Sequence, residues 1–213
     1  MSRPRKTFLI SLVLYCVLVK VMPWVLMHFG LNITSDRTYP WSFTPVFAVG
    51  IFGVGMFRDV RKGFGYPVLA WVIADVIIGG LCMLRYGFDE GLRYAVYPGQ
   101  IVSYASLLLA ISAGYLVRSR RNWPTILTAS LLGPTVFFLV SNFGVWLFDT
   151  QIGYSRDLNG LWQAYVAGLL FYRNQLISTV AFSGLLFSRL GVSQLETEEV
   201  AAPVEAEPLA AER

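Results

Sequence analysis

Six apolar stretches occupy most of this chain, at 8–27, 41–57, 67–84, 98–117, 125–148 and 161–188. A run of about 18 or more apolar residues is long enough to cross a bilayer as a helix. In lipid, a helix is the single-segment structure that pairs its own backbone N–H and C=O groups. Six such runs at short intervals are more apolar surface than one water-solvated core can cover. The expected fold class is therefore all-α, a polytopic membrane bundle of about six transmembrane helices over residues 1–190. Charge content agrees: 14% of the 213 residues are charged, against about 25% in soluble domains.

The first run follows a basic start, Met1 to Lys6. It continues through Lys20, Met22, Pro23 and Trp24 without the small-residue site of a cleaved signal peptide. It is expected to stay as the first span. The second run is short and carries Gly50, Gly53 and Gly55, which suit close helix approach. Gly133-Pro134 predicts a kink in the fifth.

Lys and Arg placement predicts sidedness. With the N-terminus inside, inner segments hold Arg3, Arg5, Lys6, Arg58, Arg61, Lys62, Arg118, Arg120, Arg121, Arg189 and Arg213. Outer loops hold Arg37, Arg85, Arg93 and Arg156. That bias predicts a bacterial cytoplasmic (inner) membrane protein with both termini in the cytoplasm. The basic residues sit in short loops at span ends, not along a stripe interleaved with aromatics. No nucleic-acid partner is expected. Residues 191–213 change character: six of the seven Glu residues lie in 196–213, without an aromatic residue. A disordered acidic cytoplasmic tail is expected from 191 onward.

Motifs for soluble chemistry are missing. Cys16 and Cys82 lie in apolar runs and read as small buried hydrophobes. His28 is the single histidine, and none of the three lysines stands in a phosphate-binding G-K-[ST] context. Neither an enzyme nor a cofactor is expected.

Three charges fall inside apolar runs: Lys20, Asp75 and Arg173. Each costs about 2.5–3.5 kcal/mol at the bilayer centre unless it is paired, hydrated or snorkelled. Lys20 lies roughly 10 Å from the end of its run by helical rise. Asp75 has no such reach, so a pair with Lys20 or Arg173 is expected. Two cations against one anion leave a charge that suits a solute carboxylate. Asn142 and Trp146 share a helical face with Asp149. Tyr165 and Arg173 form a stripe with Trp162 and Leu169, and Asn174 and Gln175 adjoin it. The candidate substrate-binding set is Lys20, Asp75, Asn142, Trp146, Tyr165, Arg173 and Asn174. Amides at this depth also serve plain helix–helix hydrogen bonding.

Lys20-x-x-Pro23, Phe43-Thr44-Pro45, Asp75, Asn142-Phe143 with Trp146, Gly160-Leu161, Tyr165 and Asn174 carry a resemblance over nearly all of the membrane region. The chain resembles a bacterial transport-protein family of unknown function. That family is itself similar to the substrate-binding S components of energy-coupling-factor transporters. The family has Arg at the position of Lys20 and Asn at that of Ser42, and the Ala-x-x-x-Ala docking stripe of S components is absent from the first span. The resemblance implies a six-helix bundle with a solute cavity near the outer face. It also implies separate ATPase and transmembrane scaffold subunits. The expected function is capture and uptake of a small solute, compatible with an anion. The alternatives are a non-transporting assembly or structural protein and, more weakly, an intramembrane enzyme using Asp75.

Overall fold

A computed structural model describes residues 3–31, 41–97, 99–148 and 153–196. Arg37, Asp149 and the acidic residues from 197 onward lie outside this set. The elements are β1 (Arg3–Pro4), α1 (Lys6–His28), α2 (Val46–Met56), α3 (Val60–Tyr86), α4 (Phe88–Ala95) and α5 (Gln100–Ile111). They continue with α6 (Gly114–Ser119), α7 (Trp123–Phe148), α8 (Leu158–Leu186), α9 (Arg189–Val192) and β2 (Leu195–Glu196). The protein is an all-α bundle, and each predicted apolar run contains helix.

Four helical stretches are long and apolar enough to cross a membrane: α1, α3, the stretch from α4 through α6, and α7. Helix α8 has the length, with 29 residues. Its central Arg173-Asn174-Gln175 makes it more polar than those four. Outward faces carry Ile10, Leu14, Val76, Ile101 and Leu139 exposed, the inverse of a soluble surface and suited to lipid. In the interior, small and hydroxylated side chains pack beside large apolar ones such as Phe47, Phe52 and Leu107. Ser106, Ser130 and Thr179 are buried, each donating to a carbonyl one turn back (Val102, Ile126 and Gln175).

Helix α2 differs most from expectation. It has 11 residues, all buried, and spans roughly 16 Å by helical rise, half the hydrocarbon thickness of about 30 Å. Residues 41–45, expected to be its first turns, are non-helical. Backbone of that kind is tolerated at membrane depth where protein or a cavity surrounds it. Helix α8 supplies the missing partners. Asn174 Nδ2 donates to the Trp41 carbonyl at 2.9 Å and Ser178 Oγ to the Thr44 carbonyl at 3.1 Å. Pro45 has no N–H to satisfy and is fully buried.

The glycines of α2 do serve packing. A Cβ on Gly53 would stand 2.7 Å from the Gly63 Cα of α3, and one on Gly50 2.7 Å from the Ile111 Cβ of α5. Helix α7 stays one helix through Gly133-Pro134, both buried. The fourth run is instead broken at Ser112-Ala113, between α5 and α6.

Both ends of the described chain meet at one end of the bundle. Arg3 and Pro4 pair antiparallel with Glu196 and Leu195, and the Arg5 N–H donates to the Gln194 carbonyl at 3.0 Å. Leu195 belongs to the buried core. The expected boundary at 190 is therefore corrected to 196, because α9 and β2 bury Gly191 and Leu195 against the bundle. At this same end Arg118 Nη1 donates to the carbonyls of Phe57 (2.8 Å) and Val54 (3.2 Å), closing the C-terminus of α2. A cation there also meets the negative end of the helix dipole.

Candidate functional site

Away from the β1–β2 end of the bundle, α1, α2, α3, α7, α8 and the lead-in 41–44 line a cavity of about 570 Å³. Its walls are mainly aromatic: Phe43, Phe47, Trp71, Phe137, Phe138 and Tyr172 all contribute. Phe138 stacks on Tyr172 with centroids 4.6 Å apart, and Trp71 meets Phe137 edge-on at 5.7 Å. Ring-to-ring contacts of this kind hold the walls together. The Tyr172 hydroxyl lies 2.9 Å from Thr135 Oγ1, which fixes the ring from behind. Lys20, Ser141, Asn142 and Gln175 add polar groups. Ser42 lines the cavity with φ +60°, a left-handed backbone that residues with a Cβ adopt uncommonly.

Lys20 and Asp75 form the expected ion pair. Nζ stands 2.6 Å from Oδ1, with the carboxylate side chain 9% exposed and the ammonium side chain 25% exposed. Tyr104 donates its hydroxyl to Oδ2 at 2.7 Å, and Gln100 Nε2 reaches the same atom at 3.5 Å. Lys20 Nζ also lies over the Trp71 ring, 4.3 Å from its centroid, a cation–π placement. Asp75 thus holds the ammonium from behind, while Lys20 itself faces the cavity.

Of the seven predicted site residues, the structure brings Lys20 and Asn142 onto the cavity wall and sets Asp75 behind Lys20. Asn142 Nδ2 donates to the Phe138 carbonyl at 2.8 Å. Its side chain lies against Gly168, where a Cβ would stand 2.8 Å from Asn142 Cγ. Asn174 shapes the wall from outside by holding Trp41. Trp146 and Tyr165 are away from the cavity. Trp146 Nε1 donates to the Ser155 carbonyl at 2.8 Å and the Tyr165 hydroxyl to the Leu139 carbonyl at 3.0 Å, tying α7 to the start of α8. Arg173 is exposed on the outward side of α8. The leftover cation of the sequence count therefore does not sit at the cavity.

Tyr172, Gln175 and the Phe137-Phe138 pair were not among the predicted residues. The signal for them was Gly168-x-x-Phe171-Tyr172-x-x-Gln175 on α8, with Phe137-Phe138-x-x-Ser141-Asn142 on α7. The α8 row has i, i+3, i+4, i+7 spacing and lies about one residue away from the predicted stripe, and the α7 row pairs residues four apart on one face. Cys16 and Cys82 are free and buried. No cluster of three or more potential metal ligands occurs among the described residues.

The arrangement can hold an apolar, ring-sized body against aromatic walls and meet its polar end with an ammonium, two amides and hydroxyls. No curated protein and no solved structure matches the chain. The family of unknown function DUF6580 matches residues 1–201. This bundle with its aromatic cavity belongs to the DUF6580 family.

Proposed function

We propose that this protein is a membrane solute-binding or uptake protein that captures a small, apolar-bodied molecule in the aromatic cavity. One observation carries the reading. The cavity of about 570 Å³ has the size and lining of a small-molecule site, and α8 supports the non-helical backbone that forms one wall. The same polar residues also hold helices together, so a structural role is the second reading.

The chain carries no nucleotide-binding motif, and the resemblance to S components supports separate ATPase and scaffold subunits as the energy source. Native mass spectrometry of the protein released from nanodiscs tests the binding reading. The wild type is expected to retain a small-molecule adduct that Ser141→Trp, which fills the cavity, does not. A wild type that carries no adduct and unfolds at the same temperature as Ser141→Trp overturns it.

The described basic residues gather at the end where β1 meets β2, and Arg85, Arg93 and Arg156 mark the other. This supports cytoplasmic termini in a bacterial inner membrane, with the cavity on the outer side. A cytoplasmic reporter fused after residue 196 is expected to be active. Activity confined to a periplasmic reporter there reverses the orientation.

A further inference from the structure

The Lys20–Asp75 pair stands between two spaces. Lys20 faces the aromatic cavity, while Asp75 lines a more open groove of about 590 Å³ between α3 and α5. Gln100 and Tyr104 are the polar groups of that groove, and Val72, Val76, Ile101 and Leu108 form its apolar sides. One carboxylate therefore reaches the ammonium of the first space with Oδ1 and the groove's donors with Oδ2.

Charge balance decides what the cavity can take. The empty site holds one positive and one negative charge. A carboxylate ligand drawn to Lys20 would bring the total to minus one in a low-dielectric interior, where uncompensated charge is costly. A neutral ligand avoids that cost and gains little from the ammonium. Neutrality returns if Asp75 takes up one proton as the ligand carboxylate replaces it on Lys20. The count is then one ammonium, one ligand carboxylate and one neutral acid.

Asp75 is placed for that exchange. The groups that face it are Lys20 from α1, Tyr104 and Gln100 from α5, and Tyr97 from the turn before α5. Helix α2 contains no titratable residue, and of the α4 charges Asp89, Glu90 and Arg93 the last two pair with each other at 3.6 Å. Tyr104 and Gln100 remain able to donate to the neutral acid's carbonyl oxygen, so protonation does not orphan the group.

We propose that the cavity takes an aromatic or alicyclic monocarboxylate together with one proton, with Lys20 binding the carboxylate and Asp75 holding the proton. A single ammonium limits the ligand to one negative charge. The aromatic walls, Phe43, Phe47, Trp71, Phe137, Phe138 and Tyr172 among them, suit a ring-bearing body. The inference rests on the solute-binding reading and adds the ligand class and its coupling.

Calorimetric titration of nanodisc-embedded protein with naphthoate, in two buffers of different ionisation enthalpy, counts protons directly. Between about pH 6 and about pH 8 naphthoate itself is ionised, so any proton uptake belongs to the protein. The wild type is expected to take up close to one proton per naphthoate on the alkaline side, where affinity weakens about tenfold per pH unit. Asp75→Asn should bind naphthoate with no proton uptake and no pH dependence, and Lys20→Gln should not bind it. Size-exclusion profiles and helical circular dichroism establish whether each variant is folded, and the wild-type proton count stands without them. Naphthoate binding without proton uptake overturns the coupling and leaves the binding site standing. Equal affinity for neutral naphthamide overturns the carboxylate class. Failure of both probes with wild type overturns the ligand class, while the adduct measurement above separately decides the binding reading.

Discussion

Asp75→Asn is expected to destabilise the ligand-free protein by about 3 kcal/mol, the low end of the cost of breaking a buried ion pair. The low end applies because a quarter of the Lys20 side chain is exposed, which screens the orphaned ammonium in part. An amide still accepts from Tyr104, so the loss reports the charge rather than the hydrogen bond. Lys20→Met leaves the opposite fault, a carboxylate 9% exposed with two neutral donors. The double variant Lys20→Met/Asp75→Asn removes both charges and should recover much of either loss. A coupling of about 1–3 kcal/mol is expected from the cycle, read by equilibrium unfolding in SDS for the wild type, both single variants and the double. Strictly additive single effects would show that the two groups, 2.6 Å apart, do not stabilise each other.

Gly63→Val should be at least as damaging, for a steric reason. Helix α2 is buried on every side and crosses α3 at Gly53 and Gly63. A Cβ on Gly63 would run into the backbone of Gly53 and Val54. Backbone cannot rotate away as a side-chain tip can, so α2 must move out of its seat between α3, α5 and α8. Overpacking costs about 1–3 kcal/mol at an adaptable site, and this contact, with backbone on both sides, lies at the upper end or beyond. Gly65→Ala, two residues on and with open space at its Cβ, is the control and should be neutral or slightly stabilising through helix propensity. Fluorescence-detected size exclusion after heating separates them: Gly63→Val should lose its monodisperse peak at lower temperature, Gly65→Ala should not. Equal behaviour of the two variants would show that the α2–α3 crossing has slack.

Hydropathy alone located α1, α7 and α8 within about three residues and α3 with a start seven residues late, because lipid leaves a spanning segment no alternative to helix. It also marked Lys20 and Arg173 as the two candidate partners of Asp75, since a carboxylate in an apolar run must be paired, hydrated or protonated. Local sequence could not choose between them. Lys20 lies 55 positions from Asp75 and Arg173 lies 98 away, and only the packing of α1 on α3 brings one within reach. The second run shows the same limit. Trp41 to Pro45 is as apolar as a helix would be, yet Asn174 and Ser178 of a distant helix accept the work of pairing its backbone, so that stretch opens into a cavity wall. The tail boundary moved for a related reason: Leu195 looks like part of an acidic tail until β1 arrives beside it. Sequence thus determined which segments are helical, because that depends on each segment's own exchange between water and lipid. The tertiary structure decided which face of each helix meets a cavity, because that depends on side chains contributed by α1, α2, α3, α7, α8 and the lead-in 41–44 at once.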